Sequence, residues 1–223
     1  MKENRATNSQ PTLPTKQDMA VAIQNWYKAI SAHKKERIKQ VLAGRTRHIT
    51  IALEDTFQPF NASAILRTAE IFGIQDIHVV ECRNSFRPSV GISRGAVKWL
   101  DIHRYTNAAT AIKRLKDEGF CIAATSLTSE SLPIDQLPVH QKTALFFGNE
   151  LIGLTPTIMA AADIAVHIPM FGFTQSFNVS ASVAICLQQL VSTLRASNIA
   201  WQLTQEEQLI LEYQWCKQLV NRR

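Results

Sequence analysis

The chain has 223 residues, is 46% hydrophobic and carries a net charge of +6 with a pI near 9.3. This size and composition suffice to bury a core in one domain. The polar start and the lack of apolar runs near ~18–20 residues predict a cytoplasmic protein without a leader or membrane span. Four widely separated cysteines and six scattered histidines favour buried thiols over a disulfide framework or a metal site.

The N-terminal part of the chain is polar and then strongly basic. Residues 1–18 lack apolar periodicity and are predicted to form a flexible arm, and helical spacing starts at Met19. Positive charge accumulates over residues 34–47 against a single acidic residue, Glu36. This pattern favours contact with a nucleic acid, although a merely solvated helix face would show the same charges. The candidate RNA-contacting residues, here and in a long polar loop at 83–98, are Lys34, Lys35, Arg37, Arg45, Arg87 and Arg94.

Strand and helix patterns alternate through the rest of the chain. Apolar segments predict strands at residues 48–53, 77–81, 99–105, 120–125, 143–147 and 164–169, with helices between most of them. This order predicts an α/β fold, a mainly parallel sheet with helices on both faces and helical extensions at both ends. Thr204 and Glu207 form a capping-box pattern before the last helix. We therefore predict a basic arm and helix at 1–47, a core domain at 48–197 and a C-terminal helix at 198–223.

Several common nucleotide sites are disfavoured by the loops of this sheet. A classical dinucleotide site would place G-x-G-x-x-G after the first strand, yet residues 55–61 contain no glycine. Three short motifs stand out instead: Asn61-Ala-Ser-Ala-Ile-Leu-Arg67, Phe147-Gly-Asn-Glu150-Leu-Ile-Gly153, and Ile168-Pro-Met170 followed by Ser176-Phe-Asn-Val-Ser180. The last two follow strands, where open α/β sheets bind ligands. Each motif alone has a structural explanation, such as a helix cap at Asn61 or an Arg67–Glu70 pair. The three motifs together, in this order and spacing, are a more specific indication of a functional site.

In these motifs, and over residues 48–194, the chain resembles the TrmH-like branch of the SPOUT methyltransferases, which methylate a ribose 2′-hydroxyl of RNA. The resemblance implies a homodimer with a C-terminal trefoil knot, a feature that general folding rules argue against. It also implies bound S-adenosylmethionine and an RNA substrate, most simply a guanosine in tRNA. By matching position, the cofactor residues are Thr125, Gly148, Ile168, Met170 and Phe177, and the catalytic residues are Asn61, Arg67, Glu150, Ser176 and Asn178.

The implied reaction is an in-line attack of the ribose oxygen on the sulfonium methyl group. A guanidinium with a pKa above ~12 is a poor base, so we expect Arg67 to grip a phosphate and stabilise the developing alkoxide. Phe177 stands where the family usually has leucine, and residues 200–223 form a shorter extension than in the well-known tRNA guanosine-18 enzymes. The alternatives are an rRNA 2′-O-methyltransferase and a non-catalytic RNA-binding protein on the same fold.

Overall fold

The computed structural model describes residues 13–56, 58–93 and 95–221. Its helices are α1 (Lys16–Tyr27), α2 (Ala32–Ala43), α3 (Pro59–Phe72), α4 (Val90–Ser93), α5 (Ala108–Asp117), α6 (Pro156–Ala161), α7 (Val179–Ala196) and α8 (Gln205–Val220). Its strands are β1 (Ile49–Glu54), β2 (Asp76–Val80), β3 (Asp101–Tyr105), β4 (Cys121–Thr125), β5 (Leu132–Pro133), β6 (Thr143–Phe147) and β7 (Ile164–His167).

The chain divides into two compact units, Ala43–Leu203 and the combination of Met1–Leu42 with Thr204–Arg223. The sequence predicted three consecutive segments, whereas the structure places the first and the last segment in the same unit. Much of the predicted flexible arm, residues 1–12, lies outside the described ranges. The part that is described becomes helical earlier than predicted, because Thr15 caps α1 by accepting a hydrogen bond from the Asp18 amide.

In the smaller unit, α1 packs against α8. The rings of Trp26 and Tyr213 lie 5.1 Å apart between centroids, and the Tyr27 hydroxyl donates to Glu212. The predicted capping box at the start of α8 is confirmed, since Thr204 and Glu207 bond to each other's backbone amides. Apolar side chains of both helices, including Met19, Ile23 and Leu211, are buried. The apolar residues near the C-terminus are therefore explained by packing within this unit.

The larger unit contains a seven-stranded sheet in the order β3-β2-β1-β6-β4-β7-β5. Every pairing is parallel, so the predicted mainly parallel sheet is confirmed. All residues of β1 are buried, as expected for a central strand covered on both faces. Side chains of α3 and α7 pack on one face, and those of α5 and α6 pack on the other. The carboxyl ends of the parallel strands consequently share one edge of the sheet.

Two features of this unit depart from simple sequence expectations. The predicted loop at residues 83–98 is partly helical, with α4 and a 3₁₀ turn at Ala96–Trp99. Within the described ranges, α7 is long and apolar enough by length and composition to cross a membrane. Its side chains at Val183, Leu187 and Leu190, however, are buried in the core of this unit. Packing against the sheet thus accounts for the apolar character of α7.

The four cysteines are all free thiols, and three of them, Cys121, Cys186 and Cys216, are buried as predicted. Cys82 is exposed, which corrects the prediction for that residue. Burial raises the pKa of the Cys186 thiol to about 12, because a low-dielectric site disfavours the thiolate. This thiol is therefore neutral at physiological pH.

Candidate active site

An open pocket of about 890 Å³ lies where loops leave the carboxyl ends of β4, β6 and β7. The five residues predicted to bind the cofactor all line this pocket. Four of the five predicted catalytic residues line it as well: Asn61, Glu150, Ser176 and Asn178. Residues from all three sequence motifs therefore line one cavity, which lies at the carboxyl ends of parallel strands, where open α/β sheets bind ligands.

One hydrogen-bonded chain links a residue from each motif. The Asn61 amide nitrogen donates to Glu150 Oε1 at 2.9 Å, and the Asn178 amide nitrogen donates to Asn61 Oδ1 at 3.1 Å. Asn178 Oδ1 in turn accepts from the backbone amide and the hydroxyl of Ser180, at 2.9 and 2.6 Å. Because each amide uses its oxygen and its nitrogen in different bonds, the chain fixes the orientation of both side chains.

Asn61 does not cap α3, contrary to the sequence prediction. The helix begins at Pro59, and Gln58 occupies the cap position without a side-chain bond. Proline suits the first helical position, where its missing amide hydrogen costs nothing. Asn61 instead lies inside the first turn and is 7% exposed. Its side chain is therefore available to bridge Glu150 and Asn178.

The loop that carries Glu150 requires the glycines of its motif. Asn149 and Gly153 exchange two backbone hydrogen bonds, of 3.1 and 2.9 Å, and so close a tight loop around Glu150. A Cβ atom at Gly148 would collide with the backbone of Gly153 and Leu154. Gly153 itself has φ +70°, a left-handed conformation that glycine adopts without strain. The spacing of this motif thus reflects a closed loop that displays one carboxylate.

Arg67 lies on α3 but outside the pocket lining. It follows Asn61 by six residues, which is about 9 Å along the helix axis and on another helix face. The guanidinium is partly buried and makes no hydrogen bond to the residues that the structure describes. The simpler explanation of an Arg67–Glu70 pair fails, because Glu70 binds Arg45 at 2.7 Å. Within one chain, Arg67 is therefore separate from the other predicted catalytic residues.

The predicted RNA-contacting residues fall into different environments. Lys34 and Arg37 are exposed on α2, Lys35 is partly buried over the Tyr27 ring, and Arg87 is exposed in the loop after β2. Arg94 lies outside the described ranges.

Arg45 was predicted wrongly as an RNA contact. Its side chain is 0% exposed, and it donates to the Ile74 carbonyl oxygen at 2.9 Å and pairs with Glu70. Burial lowers the pKa of Arg45, and the nearby Glu70 carboxylate opposes that shift. The basic run in the sequence continues past the end of α2 and includes Arg45. Because the carboxylate that pairs with Arg45 is 25 residues away in the chain, the run itself gave no sign that Arg45 is buried.

Sequence reasoning missed two polar side chains at the carboxyl ends of strands, Glu54 and His167. Glu54, at the end of β1, is 1% exposed and accepts from the Thr155 amide at 2.8 Å and from its hydroxyl at 2.7 Å. This carboxylate ties β1 to the start of α6, where Thr155 is the N-cap residue and Pro156 is the first helical residue. The sequence signal for this bond was an acidic residue directly at the end of an apolar strand. A carboxylate buried there needs hydrogen-bond donors from another part of the chain.

His167 is a second missed residue, and it lines the pocket at the end of β7. Its Nδ1 lies 2.9 Å from Ser131 Oγ, which donates to the Thr128 carbonyl oxygen at 2.7 Å. Ser131 Oγ thus lies within hydrogen-bond distance of both a carbonyl oxygen and the imidazole of His167. Elsewhere, no group of three or more His, Cys, Asp or Glu side chains in the described ranges is placed to hold a metal ion.

Comparison with known proteins identifies close relatives. The model of the SpoU rRNA Methylase family matches residues 48–188. The tRNA (guanosine(18)-2′-O)-methyltransferase of Borreliella burgdorferi is 44% identical over 193 residues, covering 86% of this chain and 88% of that protein. The enzyme of the same name from Thermus thermophilus is 34% identical over 154 residues, covering 69% and 79%. The crystal structure of the A. aeolicus TrmH/SpoU tRNA modifying enzyme has a TM-score of 0.77 at 29% identity, covering 84% of this chain and 97% of that one.

Proposed function

Since the chain belongs to the SpoU rRNA Methylase family, we propose that it transfers the methyl group of S-adenosylmethionine to the 2′-hydroxyl of a guanosine ribose in tRNA. The resemblance to TrmH-like enzymes, inferred from three motifs, is thereby confirmed. The relative that is 44% identical carries the name of a tRNA guanosine methyltransferase, which favours tRNA over rRNA as the substrate. The observation that carries the proposal is the single pocket in which the cofactor motifs and the Asn61–Glu150–Asn178 chain meet.

The pocket fits S-adenosylmethionine in size, polarity and charge. Its volume of about 890 Å³ falls within the usual range for small-molecule sites. Ile168, Met170 and Phe177 contribute apolar surface for an adenine ring. Among the described residues that line it, Glu150 is the one formal anion and none is a lysine or an arginine. A lining with an acidic side chain and no described lysine or arginine suits a positive sulfonium group better than a phosphate.

When bound, S-adenosylmethionine supplies an activated methyl group, so the protein has to align the ribose oxygen with it. We assign Asn61, Glu150, Ser176 and Asn178 to the placement of the ribose, because they line one cavity and three of them are hydrogen-bonded together. Arg67 lies outside that cavity, and we assign its guanidinium to the neighbouring phosphate and the developing alkoxide.

We further propose that the enzyme acts as a homodimer. Six large apolar side chains are exposed at or beside the pocket: Leu127, Leu151, Ile152, Phe171, Phe173 and Phe177. Several large exposed apolar side chains in neighbouring loops are typical of a protein interface. Light scattering is expected to give twice the chain mass of 25.0 kDa. A particle with the mass of one chain would contradict the dimer.

The C-terminal trefoil knot is also a proposal, which is supported by the resemblance and by the strand order. The late strand β6 lies between β1 and β4, and β7 lies between β4 and β5, so the chain returns to the middle of the sheet before the loops meet at the pocket. The backbone of a crystal structure tests this directly, and an unthreaded path through residues 147–180 would overturn it.

We assign RNA binding to the exposed cations Lys34, Arg37 and Arg87, to the partly buried Lys35 and to Arg94, and a cytoplasmic location to the enzyme. Such residues would contact phosphates without reading sequence.

One assay tests the proposed function. The protein is incubated with methyl-labelled S-adenosylmethionine and either purified tRNA or rRNA, and the labelled nucleosides are identified by mass spectrometry. We expect labelled 2′-O-methylguanosine from tRNA. Label in rRNA alone would show that rRNA, not tRNA, is the substrate. Label on a base would contradict the proposed ribose methylation. A protein that binds RNA but shows no heat of binding with S-adenosylmethionine would be the non-catalytic alternative.

A further inference from the structure

Asp55 occupies an unusual position between β1 and α3. Among the described residues it is the one non-glycine residue with a positive φ, at 49°. Aspartate tolerates this left-handed conformation better than most residues, but it remains less favourable than the right-handed region. Asp55 is only 3% exposed and does not line the pocket. Strained backbone at the edge of a binding site is worth a functional explanation.

The hydrogen bonds of Asp55 connect two loops. Its Oδ1 accepts from the backbone amides of Arg83 and Asn84, at 2.8 and 3.1 Å. Its carbonyl oxygen accepts from the side-chain amide of Asn149 at 2.8 Å. Asn149 directly precedes Glu150 in the closed loop of the pocket. One residue thus joins the loop after β2 to the loop that displays the pocket carboxylate.

The segment of residues 83–89 is also attached at its far end. The Ser89 amide donates to Ser63 Oγ at 2.7 Å, and that hydroxyl donates to the Pro59 carbonyl oxygen at 2.7 Å. Ser63 is fully buried on α3, the helix that carries Asn61. Between these two attachments, the side chains of Arg83 and Arg87 are exposed. The segment therefore presents cations from a backbone that is held at both ends.

We propose that Asp55 is a positioning residue, which sets the distance between an RNA-binding segment at residues 83–89 and the Glu150 loop. This inference rests on the proposed function, since it assigns the segment to tRNA phosphates. The bonds of Asp55 fix the segment before RNA arrives, so less conformational entropy is lost on binding and the ribose is placed consistently. Because Asp55 lies outside the pocket lining, its side chain should affect methyl transfer to tRNA but not cofactor affinity.

A pair of variants separates the carboxylate from the backbone conformation. Asp55→Gly accepts φ 49° without strain and removes the acceptor, whereas Asp55→Asn tolerates the same φ and keeps an oxygen for both amides. We expect Asp55→Gly to lower kcat/KM for tRNA about tenfold with S-adenosylmethionine affinity unchanged, and Asp55→Asn to behave like the wild type. Hydrogen exchange at the Arg83 and Asn84 amides should accelerate in Asp55→Gly alone.

The readouts distinguish the possible failures. Wild-type kinetics in Asp55→Gly, an equal loss in Asp55→Asn, or a parallel loss of cofactor affinity would each overturn the positioning role. If Asp55→Gly does not fold, Ser63→Ala removes the other attachment and should give a smaller loss in kcat/KM for tRNA, again with cofactor affinity unchanged. If the wild-type protein transfers no methyl group to tRNA, the proposed function fails. The amide exchange then still decides whether Asp55 holds the segment.

Discussion

Polar side chains are paired in different ways at the two ends of the parallel strands, and we assign one arrangement to function and the other to stability. At the carboxyl edge, the neutral amide of Asn61 donates to Glu150 and accepts from Asn178 beside an open cavity. On the outer strands, Arg47 pairs with both Asp76 and Asp101. The first arrangement lies at the wall of an open cavity, while the second pairs its charges with one another.

The outer network extends to two histidines and a tyrosine. His103 Nε2 lies 2.7 Å from Asp76, and its ring stacks on His78 with 4.8 Å between centroids. His78 Nδ1 lies 2.8 Å from the Tyr105 hydroxyl. Burial, with a smaller contribution from His103, lowers the pKa of His78 to about 3. A strongly perturbed histidine often marks an active site, but this one belongs to a paired cluster and lines no described pocket.

The largest expected effect comes from breaking the amide chain at the pocket. Asn61→Ala removes the donor to Glu150 and the acceptor for Asn178, so each of these side chains loses one of the hydrogen bonds that orient it. We expect kcat for methyl transfer to fall about a hundredfold, the usual cost of small misplacements. Single-turnover transfer to tRNA measures the effect, and Thr68→Ala on the same helix is the matched control. A wild-type rate in Asn61→Ala would show that the amide chain is structural only.

For the outer network, we expect the free energy of unfolding to decrease as the pH falls. The folded pKa of His78 is about 3 and its unfolded pKa is about 6.5, so the unfolded state binds the proton first. The contribution of neutral His78 to the free energy of unfolding is fully present above pH ~6.5 and is lost as the pH falls towards 3. The expected loss between pH 6.5 and 5 is about 2 kcal/mol. Urea unfolding across this range measures it. The variant His78→Gln, which does not titrate, should flatten the slope, and an unchanged slope would assign the dependence to other groups.

Arg67 tests whether the catalytic set extends beyond the pocket. Arg67→Lys keeps the charge but loses the planar fork that binds phosphate in a bidentate manner. We expect kcat/KM for tRNA to fall about tenfold while S-adenosylmethionine affinity stays constant, because Arg67 does not line the pocket. Steady-state kinetics with calorimetry separate the two quantities. Normal methylation with unchanged RNA affinity would refute the role that we assign to this guanidinium.

The sequence could predict features that depend on neighbouring residues, but not contacts between residues that are distant in the chain. Local patterns were sufficient for the apolar strands of the sheet and for the Thr204–Glu207 capping box, which depend on neighbouring residues. The three motifs also identified most of the pocket lining. The burial of Arg45 depends on Glu70, 25 residues away, and the packing of α1 on α8 joins opposite ends of the chain. Single-sequence reasoning misses such contacts, because no local pattern encodes the distant partner.

The smallest expected effect concerns the exposed cations of α2. Lys34→Ala should weaken tRNA binding about threefold at low salt and reduce the slope of log affinity against log salt by about one, as the loss of one phosphate contact does. Lys113→Ala is the control, because Lys113 is also an exposed helical lysine and is paired with Asp117. Filter binding over a salt series measures both variants. Equal slopes for the two variants would mean that the basic face of α2 is merely solvated and that RNA binds elsewhere on the protein.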